Sequence, residues 1–512
     1  MIENILYGLS FAFSLSAIFA NIVGVALGIT FGALPGLTST MGVALLIPLT
    51  FGMEPVIAFS ALLGMYIGSV YGGSLTAIMI NTPGTPAAVA TLLEGPGLTA
   101  KGQGRKAMEM ATIASFVGGF FSCMALTLVA PQLAKVALSF GPPEYFAISL
   151  FGLSIVIGLS TNELLKGVIA ALLGLLIATI GIDSVSGTVR NTFGIPELLS
   201  GVSLVPALVG LFAISQVLLK LEEWVETRVE TYSPTVPISG EKDRLTLKDM
   251  HNNFWTIIRS SVIGTFVGLI PATGGGTASF IAYNETKRTS KEPEKFGSGH
   301  LPGVAATEAA NNATTGGALI PLLTLGIPGD MVTAVMLGAL MIQGLAPGPL
   351  LFRDNMPIIT GIFIALMLAN VFMLILGFNS LRFLSKIVAL PTGLLLSFVS
   401  VLCLLGSYAM ANSGFDVLVM VCFGAIGYIL TRCGFPLAPL LLAMILSPLL
   451  ESNFRRSMIM SQQDFSIFFT RPISLVIIII TILFLTKTIW DETRRRLKKA
   501  RSENINKVSS IS

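Results

Sequence analysis

The chain has 512 residues, 53% of them hydrophobic and only 11% charged, with a net charge of +4. A soluble domain carries about 25% charged residues, so this composition excludes an ordinary water-soluble fold and fits an all-α polytopic membrane protein. The four cysteines lie in or beside apolar segments without paired spacing, which excludes a disulfide framework, and the two histidines, His251 and His300, sit in polar connecting segments, which excludes a histidine zinc site at membrane depth.

Taken in order, the apolar runs predict about twelve transmembrane helices at ~20 residues each. The first 30 residues have no basic n-region and read as a retained helix rather than a cleaved signal peptide. That helix carries Gly24, Gly28 and Gly32 at a spacing that lets helices approach closely. It ends at a break, Leu34-Pro35-Gly36-Leu37-Thr38-Ser39-Thr40, followed by a short apolar piece to Phe51. A second helix leads through Tyr71-Gly72-Gly73-Ser74 to Asn81-Thr82-Pro83-Gly84-Thr85-Pro86. A short helix over Ala87 to Leu93 follows, closed by Glu94-Gly95-Pro96-Gly97 and a basic loop with Lys101, Arg105 and Lys106. Four apolar helices are expected over Ala107 to Leu138, Tyr145 to Leu159, Leu164 to Ile182 and Val202 to Leu219, with Asn162 and Glu163 between two of these spans at the membrane interface.

Residues 221–250 form a polar connector of mixed charge, and then the pattern recurs. Gly264, Gly268 and Pro271 repeat the mutual spacing of Gly28, Gly32 and Pro35, and Thr273-Gly274-Gly275-Gly276-Thr277 stands at the second break. Glu308-Ala-Ala-Asn311-Asn312 and Thr315-Gly316-Gly317 lead to Gly326-Ile327-Pro328-Gly329-Asp330, and Gly344 to Pro349 closes the unit. About four or five further helices run from Ile358 to Trp490, by the same span length. The chain is thus two repeats, 1–220 and 251–490, each with a broken, re-entrant hairpin, near 32–97 and near 264–349. The loop after the first break has no cation in the first half and Lys287, Arg288, Lys291 and Lys295 in the second; the loop after the Pro-Gly break reverses the bias, with only Arg353 beside Asp354 in the second half. Opposite charge bias on matching loops marks opposite sides of the membrane, hence an inverted-topology repeat. The tail, 491–512, is basic and places the C-terminus in the cytoplasm as a juxtamembrane anchor to the lipid bilayer; no nucleic-acid contact is expected.

Broken polar backbone at membrane depth is tolerated only where protein or a water-filled cavity surrounds it. A carboxylate substrate needs donors and positive potential, which a helix N-terminus supplies without burying a cation. The expected substrate-binding positions are therefore Pro35, Gly36, Thr38, Ser39 and Thr40; Asn81, Thr82, Pro83, Gly84 and Thr85; Thr273, Gly274, Gly275, Gly276 and Thr277; and Pro328 and Gly329. A coupling cation needs oxygens, which Ser74, Asn311, Asn312, Thr314, Thr315 and Asp330 offer. Glu308 and Asp330 fit a helix cap equally well. No cofactor is implied beyond a possible Na+. The chain lacks the phosphate-binding loop of an ATP motor, and no Ser–Lys, paired Asp or His–metal set can be assembled in its apolar spans. It reads as a secondary transporter rather than an enzyme; a gated channel is the alternative, with an intramembrane enzyme behind it.

The segments Gly32-Ala-Leu-Pro-Gly36, Tyr71-Gly-Gly-Ser-Leu-Thr-Ala-Ile, Asn81-Thr-Pro-Gly84, Glu308-Ala-Ala-Asn-Asn312 and Leu325-Gly-Ile-Pro-Gly329 resemble the large membrane subunit of the tripartite tricarboxylate transporters, the TctA type. The resemblance implies two partners, a small four-helix membrane subunit and a periplasmic solute-binding protein, and a bacterial inner-membrane setting. It also implies import of an organic carboxylate such as citrate, driven by a Na+ or H+ gradient. Glu94-Gly95-Pro96-Gly97 departs from the Asp-Gly-Tyr-Pro-like turn expected at that place.

Overall fold

The computed structural model describes residues 8–34, 36–159, 164–183, 186–227, 243–271, 273–380 and 392–509. The chain is helical almost throughout, and among the described residues eight helices are long and apolar enough to cross a membrane. They are Leu15–Ala33, Pro55–Ile80, Gly104–Ala137, Leu204–Glu223, Met356–Ser380, Gly414–Arg432, Leu437–Met460 and Pro472–Arg494. Shorter apolar helices lie at Ser39–Leu49, Pro142–Gly158, Leu164–Ala178, Met331–Ile342 and Gly393–Ala409. Asn162 and Glu163, Pro35, residues 228–242 of the connector and the side chains of the basic tail beyond Arg494 lie outside the described residues.

Two compact units result, residues 1–138 with 204–428, and residues 139–203 with 429–512, so each draws on both halves of the chain. In the second unit, helices Pro142–Leu159 and Leu164–Ala178 pack on Leu437–Met460. The helix expected over Leu164 to Ile182 stops at Ala178, because Gly181 adopts φ +118 and Ile182 pairs with Val189 in a two-residue antiparallel ribbon. Beside that ribbon Arg190 bridges Glu451 at 2.8 Å, and Arg455 bridges Glu451 at 2.6 Å.

The first unit holds every residue of interest for function. Its helices are α1 (Leu15–Ala33), α2 (Ser39–Leu49), α3 (Pro55–Ile80), α4 (Gly95–Ala100) and α5 (Gly104–Ala137). From the second sequence half come α6 (Leu247–Leu269), α7 (Gly274–Thr289), α8 (Leu301–Leu325), α9 (Met331–Ile342), α10 (Pro349–Asp354) and α11 (Met356–Ser380). The segment expected as a helix over Ala87 to Leu93 is a 3-10 helix, Pro86–Leu93. The helix expected from Val202 begins at Leu204 and carries a π-helical turn at Gly210–Ile214.

Glycine spacing sets the closest packing. α1 lies on α3, where a Cβ on Gly28 would stand 2.6 Å from the Met65 carbonyl oxygen and one on Gly64 would stand 2.7 Å from that of Asn21. α6 lies on α8 in the same manner: a Cβ on Gly268 would stand 2.8 Å from the Thr314 carbonyl oxygen, and one on Gly317 2.5 Å from that of Thr265. Any side chain at these positions would force the helices apart, which is why small residues are needed there.

Candidate functional site

Each motif follows one course: a helix, a break, a helix, then a long buried helix that ends in a left-handed residue before a Pro-Gly tip. Asn81 closes α3 with φ 54 and Gly326 closes α8 with φ 73. The two motifs also interlock reciprocally. α2, after the first break, packs on α9, after the second tip; α7, after the second break, packs on the 3-10 helix after the first tip.

At the first break Thr38 caps α2, its Oγ1 accepting from the Met41 N–H at 3.1 Å, while Ser39 and Thr40 are buried in the opening turn. Gly36 sits at φ +91 with the Lys220 side chain packed on it, and the Lys220 ammonium donates to Glu223 at 2.6 Å. This places a cation beside the break that only the tertiary fold brings there. At the first tip the Gly84 N–H donates to the Gly73 carbonyl at 3.1 Å, and a Cβ on Gly84 would stand 2.9 Å from Gly73 Cα. The close approach that Gly84 permits is therefore to neighbouring backbone. Thr85 is buried and its hydroxyl has no partner, Pro83 is half-buried, and Asn81 and Thr82 are exposed, with the Thr82 hydroxyl donating to the Ile80 carbonyl at 3.3 Å.

The second tip is sealed in the same way and then tied further. Pro328 and Gly329 are buried, and a Cβ on Gly329 would stand 2.5 Å from Ala318 Cα and 2.7 Å from the Gly268 carbonyl oxygen. Asp330 caps α9: its Oδ1 accepts from the Thr333 N–H at 2.7 Å, and its own N–H donates to the Thr333 hydroxyl at 2.9 Å. The Tyr66 hydroxyl of α3 donates to the other carboxylate oxygen. The cap, one of the two roles open to Asp330 from sequence, is therefore present.

The second break is more open. Gly274 adopts φ +65 with nothing within 4 Å of where a Cβ would stand, and Thr277 is exposed. Thr273 turns its hydroxyl back onto the Val267 and Ile270 carbonyls, at 2.6 and 2.8 Å. Gly276 faces the Pro86 carbonyl of the first tip, 3.4 Å from its Cβ position, and Gly275 faces the Asn311 side chain. Thr314 and Thr315 donate to the Asn311 and Asn312 carbonyls of their own helix, both at 2.6 Å. The Asn311 and Asn312 amides behave differently. They are 1% and 0% exposed, and neither the oxygen nor the nitrogen of either amide has a hydrogen-bond partner. An unpaired buried amide costs on the order of 1–3 kcal/mol, so two in succession on one turn do not add to the stability of α8.

Two carboxylates stand out that the motif spacing did not single out as site residues. Glu308 is buried two turns into α8, so it caps nothing; it accepts from Ser74 at 2.6 Å, from Ser115 at 3.3 Å and from Thr91. Glu94, after the first tip, accepts from the Gly299 and His300 N–H groups at 2.8 and 2.7 Å and from the Tyr283 hydroxyl at 2.7 Å. It thereby caps the N-terminal approach to α8, a favourable place for a negative charge. Both were hidden because their partners lie some 190 to 235 residues away in sequence.

These features define a multi-pass helical membrane protein whose interior holds two interlocked broken motifs and a polar seam between them. The chain belongs to the tripartite tricarboxylate transporter TctA family, whose model matches residues 18–442. It is similar to an uncharacterised 52.8 kDa protein of the TAR-I ttuC' 3' region of Agrobacterium vitis, 36% identical over 478 residues that cover 93% of each chain. A second protein of that organism, from the TAR-II ttuC' 3' region, is 38% identical over 211 residues, 41% of this chain and 87% of its own. No solved structure matches.

Proposed function

We propose that the chain is the large transmembrane subunit of a binding-protein-dependent secondary transporter in the bacterial inner membrane. It would import an organic carboxylate, a tricarboxylate such as citrate or a related acid, coupled to a Na+ or H+ gradient. Its partners would be a small four-helix membrane subunit and a periplasmic solute-binding protein. Membership of the family supports the class, and the unpartnered Asn311 amide, which faces Gly275 beside the place where Gly276 meets the first tip at Pro86, is the observation that carries the site.

The reading of about twelve helices in two inverted repeats rests on the reversed charge bias of the matching loops and on the reciprocal packing of the two motifs. On this reading the substrate carboxylate is taken at the half-buried second break, where Thr273 to Gly276 present the N-terminus of α7. The mobile body is the motif pair, moving as an elevator against the remaining helices. Uptake into vesicles, with the binding protein present and an ion gradient imposed, tests the function. Accumulation above equilibration is expected; equilibration alone under both Na+ and H+ gradients would leave a channel as the better reading.

A further inference from the structure

We propose that Glu308 takes up the coupling cation, a single positive charge in the form of a proton or a sodium-sized ion, held by its carboxylate and by the hydroxyl oxygens of Ser74, Thr91 and Ser115. The word coupling rests on the transporter reading; the cation site does not. Glu308 is 0% exposed, and among the described residues no Lys, Arg or His pairs with it. The hydroxyls reach it from three separate elements, Ser74 on α3, Ser115 on α5 and Thr91 on the 3-10 helix after the first tip. Thr91 stands also 3.3 Å from the Thr307 hydroxyl, which adds a further oxygen.

A buried carboxylate without a counter-charge is costly, several kcal/mol even after relaxation, and neutral hydroxyl dipoles offset only part of that. The remaining deficit is one unit of negative charge. No cluster of three His, Cys, Asp or Glu side chains occurs among the described residues, whereas a divalent ion draws on several carboxylates. One carboxylate ringed by neutral oxygens matches a monovalent charge. The titratable groups on the surrounding elements are engaged with other partners. Tyr71 of α3 bonds the Thr112 hydroxyl at 2.7 Å. Glu109 of α5 holds Arg105 at 3.0 Å, Tyr283 of α7 holds Glu94, Asp330 accepts from Tyr66, and Asp249 of α6 holds Lys106 at 2.8 Å.

The position suits a coupling site. Ser74 adjoins Gly73, whose carbonyl holds the first tip, and Asn311 lies one turn further along the same helix. Charge at Glu308 would thus be felt at once by the first tip, through Ser74 and Thr91, and by the unpartnered amides.

The test uses the purified full-length chain in detergent and reads its thermal unfolding midpoint. Sodium is titrated against choline at fixed pH, and pH is titrated at fixed sodium. The wild type should respond in one arm, and that arm identifies the ion. Ser74→Ala and Thr91→Val should displace the midpoint of that response, by about 10-fold in concentration for a ligand worth ~1.4 kcal/mol. Glu308→Gln should abolish it. A wild type that responds in neither arm, or hydroxyl variants that titrate with the wild type, would overturn the site; the hydroxyl variants decide the matter if Glu308→Gln does not fold. Intact cation response without gradient-driven accumulation would instead count against the transporter reading alone.

Discussion

The two Pro-Gly tips share one backbone course and differ in how they are secured. The first is tied to α3 by main-chain hydrogen bonds, Gly84 to Gly73 and Thr82 to Thr76, with the Asn81 and Thr82 side chains left in the open and the Thr85 hydroxyl buried without a partner. The second is capped by Asp330, clasped by Tyr66 and preceded by a glycine where the first has asparagine. The difference teaches that a repeated sequence motif need not repeat its role. The second tip is finished as structure, while the first retains polar groups that protein does not satisfy.

Replacing the tip glycines should have the largest effect. Gly84→Leu and Gly329→Leu each push a side chain into backbone 2.9 Å and 2.5 Å away, and each should cost about 3 kcal/mol or more, read as a fall in the thermal midpoint of the solubilised protein. A normal midpoint for Gly84→Leu alone would mean that the first tip is open rather than packed. Tyr66→Phe removes a donor from Asp330 and should cost about 1–3 kcal/mol in the same measurement; the first tip has no equivalent clasp to lose. Asn311→Ala removes an amide that bonds to nothing in the protein, so the midpoint should move by less than about 1 kcal/mol while carboxylate uptake falls at least ~10-fold. Equal losses of stability and uptake would make that residue structural. The smallest contrast lies at the left-handed positions: Gly326→Ala should cost about 1 kcal/mol, and Asn81→Gly only a few tenths, because asparagine already tolerates that conformation.

Much of this was legible in the chain. Glycine at intervals of four along α1 and α6 announced close helix packing, and the Pro-Gly breaks announced where helices end, since both are local backbone properties. The doubled motif was legible for the same reason. The hydroxyls were less so: Thr38, Thr273, Thr314 and Thr315 all spend their hydrogen bonds within their own helix or turn, and nothing in their spacing distinguishes that use from ligand binding. The 3-10 form of Pro86–Leu93 and the early end of the helix at Ala178 turn on single residues and on pairing with chain farther along.

By itself the sequence determined that this is a helical membrane protein with a repeated, broken polar motif, because apolar length and backbone breakers act over one or two turns. Only the tertiary structure decided which polar groups remain without partners. Asp330 is satisfied by Thr333 and by Tyr66, some 264 residues distant; Glu308 collects hydroxyls from three other elements; and Asn311 and Asn312 find none. Hydrogen-bond satisfaction is a property of the packed interior, where each donor is assigned once, and no local pattern can make that assignment.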